Sequence, residues 1–283
     1  VEDARSIEEE HDKCFRFTIT TNGVLLNDEN IEYINREMSN AVLSIDGRKE
    51  VNDDLRPTVN GKGSYDVIVP KFQKLIEGRG TKDYYLRGTF TRFHQDFAED
   101  VKALASIGRN ISVEPVVGKE DDPYALQEAD LPALKAEYER LAEYLRDHPE
   151  TNFFHFNVDL AQGPCVIKRL RGCGAGCEYV AITPEGDIYP CHQFVGNEDY
   201  KLGSLYDGTF DKELSGRFAG LNIYTREECK DCWARFYCSG GCSASNLLVN
   251  GDIKKPHRVG CELERKRLEC AIALRAIAAG MAE

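Results

Sequence analysis

The spacing of its cysteines constrains this chain more than any other feature. From Cys229 the sequence runs Cys229-x2-Cys232-x5-Cys238-x3-Cys242, and Cys261 follows after 18 further residues. Upstream, 12 residues separate Cys173 from Gly186, and four separate Gly186 from Cys191. A close pair such as Cys229 and Cys232 grips a metal centre from one turn, and distant cysteines close the cage. A four-iron cube takes about four thiolates, one per iron. The quartet Cys229, Cys232, Cys238 and Cys242 would also suit an all-thiolate zinc site. The added glycine–cysteine element and Cys261 favour clusters. Glycines beside the ligands, Gly240 and Gly241 among them, let backbone N–H groups approach sulfur.

The remaining composition supports metal ligation over disulfides. The chain has 283 residues and eleven cysteines, ten of them after residue 160. A disulfide framework predicts a short, loop-rich chain, whereas the first 150 residues here carry Cys14 alone. A reducing cytoplasm is expected. The net charge of −12 argues against nucleic acid as a partner. No apolar run reaches about 18 residues, so no membrane span is expected. Cys14 and Cys270 match no ligand position, and Cys270 reads as a small buried residue. His94, His155, His192 and His257 read as ordinary hydrogen-bonded or surface histidines. The segment Trp233–Tyr237 lies between two ligands and is expected to pack over the metal centre and exclude water.

Strand-like and helix-like segments alternate through the first half. Strands are predicted at Phe15–Thr20, Ala41–Ile45, Tyr84–Thr89 and Ile111–Val113. Helices are predicted at Asp28–Met38, Tyr65–Glu77, Gln95–Ser106 and Leu131–Asp147, with Asp28 and Asp130 where N-caps belong. The alternation predicts an α/β fold with helices outside a parallel sheet. Residues 1–13 have a helical composition, so the repeat starts inside a helix and without Met. The chain therefore reads as a piece of a longer protein, with at least one strand–helix unit ahead of it. Near residue 150 the pattern changes. Asn152–Asp159 is one more strand candidate, and Glu178–Ile182 with Asp187–Cys191 reads as a hairpin around Thr183-Pro184-Glu185-Gly186. Helix returns from Val259 to about Ala279. Two domains are expected, residues 1–150 and 151–283.

The cysteine pattern over residues 165–283 resembles the SPASM signature, C-x9–15-G-x4-C followed by C-x2-C-x5-C-x3-C and a last cysteine. The whole chain resembles radical S-adenosylmethionine (SAM) enzymes with a SPASM extension, most of all the thioether-forming maturases of SCIFF peptides (six cysteines in forty-five). The stretches Ser39–Glu50, Leu55-Arg56-Pro57, Gly163–Cys173, Tyr189–Gly196 and Cys232–Cys242 carry the likeness. It implies a partial (β/α) barrel of radical SAM type, followed by a small cysteine-rich α+β SPASM iron–sulfur domain. It also implies two auxiliary [4Fe–4S] clusters. Carried over, Cys229, Cys232, Cys238 and Cys261 would hold the outer one, and Cys173, Cys191 and Cys242 the inner one. For the fourth inner ligand, Cys177, Cys165 and an open iron site all stand.

In the family, a third cluster on C-x3-C-x2-C cleaves SAM, and the resulting radical takes a hydrogen from a peptide. In the SCIFF maturases a peptide cysteine sulfur then joins a backbone α-carbon. A cysteine-rich precursor peptide and a reducing electron donor are the implied partners, without nucleic acid or membrane. Residues at the C-terminal ends of barrel strands face the site. Ser44 is thus expected on the SAM ribose, Arg87 or Arg56 on its carboxylate, and Glu114 at a further strand end. This chain carries neither the C-x3-C-x2-C motif nor the family's Gly-Gly-Glu element. It is expected not to cleave SAM by itself. The alternative is a non-catalytic module, either an iron–sulfur electron carrier or a zinc-stabilised binding protein.

Overall fold

The structure, a computed structural model, describes residues 1–158 and 170–280. Its chain divides into two units, Val1–Val116 with Ala136–Asn157, and Val117–Lys135 with Val158–Glu283.

In the first unit, β1 (Thr18–Thr21), β2 (Asn40–Ser44), β3 (Asp83–Phe90), β4 (Asn110–Pro115) and β5 (Asn152–Phe153) form one sheet. Every pairing is parallel, and spatial order equals chain order. That consecutive order belongs to a (β/α) barrel, because a doubly wound sheet reverses at a switch point. Side chains alternate between sheet faces along a strand. The register aligns Leu43, Leu86 and Ile111 in one row, and all three are fully buried. One residue further on, Ser44, Arg87 and Ser112 align on the opposite face. The sheet thus has one apolar face and one that carries polar groups.

The helices of this unit are α1 (Glu2–Ser6), α2 (Asp28–Glu37), α3 (Lys49–Leu55), α4 (Tyr65–Glu77), α5 (Phe97–Ala105) and most of α6 (Leu131–Asp147). They bury Phe72 and Leu75 from α4, Phe97, Val101 and Leu104 from α5, and Tyr138 and Leu141 from α6. Phe97 stacks on Phe90 with ring centroids 4.4 Å apart, and Tyr138 meets Phe97 edge-on at 4.7 Å.

Several sequence expectations need correction. The cap of α2 is Asn27, not Asp28: Asn27 Oδ1 accepts the Asn30 N–H at 2.9 Å, and Asn30 Oδ1 accepts the Asn27 N–H at 2.8 Å. Asp130, by contrast, stands directly before α6 as read from the sequence, at the end of a short 3-10 turn, Glu128–Asp130, and its carboxylate accepts the Gln127 N–H at 2.8 Å. Helix α1 covers only Glu2–Ser6 of the charged start. The last strand stops at Phe153, because a 3-10 turn takes over at Phe154–Phe156. The end of that expected strand, Asp159, lies outside the described residues.

The second unit carries a four-stranded antiparallel sheet, β6 (Ala181–Ile182), β7 (Asp187–Tyr189), β8 (Gly203–Ser204) and β9 (Thr209–Phe210). The β6–β7 hairpin closes where its turn residues place it, with the Gly186 N–H donating to the Thr183 carbonyl at 2.9 Å. Helices α7 (Lys212–Ala219), α8 (Arg235–Cys238), α9 (Ser243–Asn250) and α10 (Arg258–Ala278) follow. The core of the unit gathers Ile188, Tyr189, Phe194, Leu202, Leu214 and Phe218, with Phe194 edge-on to Phe218 at 5.4 Å. No described helix is long and apolar enough to cross a membrane.

Candidate metal centre

Four cysteines reach one cavity from four different local structures. Cys229 ends a 3-10 turn, Glu227–Cys229, and its carbonyl accepts the Cys232 N–H at 3.2 Å. Cys238 closes α8, and Cys261 lies in the first turn of α10. All four line a cavity of about 400 Å³, together with Ala234, Arg235, Gly240 and Arg265. Among the described residues, no three His, Cys, Asp or Glu side chains are close enough to hold a single metal ion.

The electrostatics around these sulfurs are mixed. Burial pushes the Cys229 and Cys238 thiols up, and carries Cys261 to about 11. Opposing this, the Gly240 and Gly241 N–H groups donate to the Cys238 sulfur, and an Arg265 guanidinium N–H lies 3.9 Å from the Cys232 sulfur. The backbone makes the first arrangement with three successive left-handed residues, Ser239, Gly240 and Gly241, at φ 59°, 90° and 72°. Arg265 also pairs with Glu262, which Lys135 reaches at 2.5 Å.

Burial of a thiol has a testable consequence. Alkylation rate follows the thiolate fraction. In the metal-free folded chain, Cys261 should react with iodoacetamide at neutral pH on the order of 100-fold more slowly than an unperturbed thiol. The rate should climb as pH rises toward about 11. Peptide mapping by mass spectrometry reads it against exposed Cys14. Equal labelling of both sites in folded protein would contradict the shielding of this partly buried thiol.

A second group lies nearby in the same unit. Cys191 is buried, and Cys173 and Cys242 are close enough to act on it electrostatically. Burial pushes the Cys191 thiol up, while the Gln193 and Phe194 N–H groups bond its sulfur. Cys242 occupies the N-cap position of α9, without a side-chain capping bond. Cys177 is exposed and its thiol donates to the Gly174 carbonyl at 3.4 Å. Cys165 lies outside the described residues. All ten described cysteines are free of disulfides.

Trp233 and Tyr237 do not cover the cavity, which corrects the sequence expectation. Both are exposed, whereas Ala234 and Arg235 line it. The Cys238 N–H bonds the Ala234 carbonyl, so the i, i+4 spacing puts Ala234 and Cys238 on one side of this turn. Trp233 and Tyr237, also four apart, fall on another. Cys270 is buried, as its apolar setting in the sequence suggests.

In the first unit the expected SAM contacts fall into two groups. Arg87 Nη2 meets Glu114 Oε2 at 2.8 Å, beside Ser44 in the strand register. Arg56 binds Asp46 through two bonds, of 2.6 and 3.0 Å, and that carboxylate also accepts the Thr89 N–H of β3 at 2.9 Å. One neighbour, read in the sequence as an ordinary hydrogen-bonded or surface histidine, joins the first of these groups. His155 Nε2 lies 3.0 Å from Ser112 Oγ and 3.6 Å from Glu114 Oε1. The β4–β5 register creates this meeting, and no local motif signals it.

The consecutive parallel sheet and the cysteine-bearing second unit resemble the fold of radical SAM enzymes that carry a SPASM domain. Residues 173–233 match SPASM, an iron–sulfur cluster-binding domain. The fold superposes on native anSMEcpe, solved with bound AdoMet and Cp18Cys peptide, at TM-score 0.74 and 17% identity, over 99% of this chain and 81% of that one. The chain is 28% identical over 225 residues to the mycofactocin maturase MftC of Mycolicibacterium smegmatis, covering 76% of this chain and 55% of that protein. Identity is 25% over 250 residues to the cysteine-type anaerobic sulfatase-maturating enzyme of Clostridium novyi, covering 80% and 63%. The chain thus spans between 55% and 63% of the length of these two curated relatives.

Proposed function

We propose that this chain is part of a radical SAM enzyme that matures a peptide by forming thioether links between a cysteine sulfur and a backbone α-carbon. In this reading Cys229, Cys232, Cys238 and Cys261 hold one auxiliary [4Fe–4S] cluster. Cys173, Cys191 and Cys242 hold the other, with Cys177, Cys165 or an open site as its fourth position. The observation that carries the reading is the single cavity lined by Cys229, Cys232, Cys238 and Cys261. The donor set fits a cluster: four thiols around one cavity, with amide N–H groups beside the Cys238 sulfur and the Arg265 guanidinium beside that of Cys232.

When bound, the clusters and SAM supply radical and electron-transfer chemistry, and the protein binds, orients and shields. The chain's own parts divide that work. Gly240 and Gly241 amides stabilise thiolate charge at Cys238. Arg265 does the same beside Cys232. Ser44, Arg87 and Glu114, on adjoining strands, are the proposed SAM contacts, and Arg56 is a further one only if its bond to Asp46 opens. The substrate would be a cysteine-rich precursor peptide, and an external reductant would supply electrons. Relatives named as maturases and a structural neighbour solved with AdoMet and a peptide support this.

The second reading is a non-catalytic iron–sulfur or zinc-stabilised module. It is favoured by the lack of C-x3-C-x2-C in these residues. Metal analysis separates the cases. Anaerobically purified chain should be brown, with about eight irons per molecule from two cubes of four. Colourless protein holding zinc would establish the module instead. A reading frame without C-x3-C-x2-C upstream of Val1 would end the enzyme assignment.

A further inference from the structure

Arg226 is a buried cation that the proposed chemistry does not yet use. Only 3% of its surface is exposed. It immediately precedes the turn that carries Cys229. Its Nη1 donates to the Ile253 carbonyl at 2.9 Å and lies 3.5 Å from that of Lys254, and its Nη2 donates to Ser243 Oγ at 3.1 Å. Its Nε is buried and has no hydrogen-bond partner among the described residues. None of these acceptors is a carboxylate. Gly240 lies against the side chain so closely that a Cβ there would come within 2.9 Å of Nε. The guanidinium is therefore fixed by both the loop before α9 and the turn after it.

A buried charge is costly unless an opposite charge faces it. Burial pulls the pKa of Arg226 down. The groups that favour its charge are Cys229, Cys238 and Cys242, followed by Asp252, which is exposed. Two of these cysteines belong to the outer set and the third to the inner set. Geometry ties Arg226 to both sets: its carbonyl accepts the Cys229 N–H at 3.0 Å, its side chain packs on Gly240 between Cys238 and Cys242, and it bonds Ser243, the next residue after Cys242.

We propose that Arg226 is a positioning residue for electron uptake, a fixed positive charge shared by the two thiol sites that raises the reduction potential of both clusters. The inference rests on the cluster reading above. One-electron reduction adds one negative charge to a cluster, and a nearby cation stabilises the product. Removing that cation makes reduction harder.

The test is a dithionite titration of the anaerobically reconstituted full chain, followed by electron paramagnetic resonance and iron analysis. Dithionite supplies each electron and is oxidised to sulfite. In Arg226→Gln, the ratio of reduced to oxidised cluster at the wild-type midpoint should fall about tenfold, equivalent to about 59 mV for one electron. Arg226→Lys keeps the charge and should titrate close to wild type. If Arg226→Gln binds its iron and titrates like wild type, the proposal is overturned. If Arg226→Gln loses iron while Arg226→Lys keeps it, the charge serves to hold the metal and not to tune its potential, and the proposal is overturned. Loss of iron from both variants assigns Arg226 to loop bonding alone and overturns it. Wild-type chain without iron would instead sink the cluster reading, a separate outcome.

Discussion

Cys232→Ala should halve the iron bound by anaerobically reconstituted protein, from about eight atoms per chain to about four. The sulfur lines the outer cavity and is only partly buried, so its loss removes little packing. The effect should come through the metal. A site whose ligands lie on separate turns gains its shape from the metal that joins them. The segment from the Cys229 turn to the first turn of α10 should therefore become the preferred point of proteolysis. The Cys191 group should keep its iron, because Cys173, Cys191 and Cys242 are untouched. Iron analysis and limited proteolysis read both effects. Unchanged iron with unchanged cleavage would refute the ligand assignment of Cys232.

Phe97→Ala should have the largest effect on the first unit. Phe97 is fully buried, stacked on Phe90 and met by Tyr138. It joins strand β3 to helices α5 and α6 through one ring. Truncation loses the transfer energy of the ring and leaves a cavity, at a cost of about 3–5 kcal/mol. For a unit of this size that lowers the melting temperature by on the order of 10 °C. Phe97→Leu keeps most of the volume and should cost less than about 1.5 kcal/mol. Thermal unfolding by circular dichroism distinguishes the two. A shift of under about 2 °C for Phe97→Ala would show that this contact does not hold the unit together.

The alternation of apolar segments made the parallel sheet legible, and β2, β3 and β4 differ from expectation by only a few residues at their ends. Helix α3 was not legible. Its residues, Lys49-Glu50-Val51-Asn52-Asp53-Asp54-Leu55, include weak helix formers and no apolar stripe. Tertiary bonds hold it: fully buried Asn52 accepts from the Asp46 N–H at 3.3 Å and donates to Ser64 Oγ at 3.1 Å. The family resemblance, not spacing alone, grouped Cys229, Cys232, Cys238 and Cys261, the four cysteines that line one cavity. Spacing could not reveal which side chains cover them, because the facing of Trp233 depends on a single helical turn. Arg226 escaped, and the particular partners of His155 were not foreseen, for a related reason. Their partners come from distant segments, and a lone arginine or histidine carries no local signature.

The left-handed corner at Ser239–Gly241 lies between Cys238, which faces the outer cavity, and Cys242, which faces Cys191. Any insertion or deletion in that corner displaces both sulfurs at once. The two sites are thus linked in inheritance as well as in space: a lineage cannot remodel one at this point and leave the other intact.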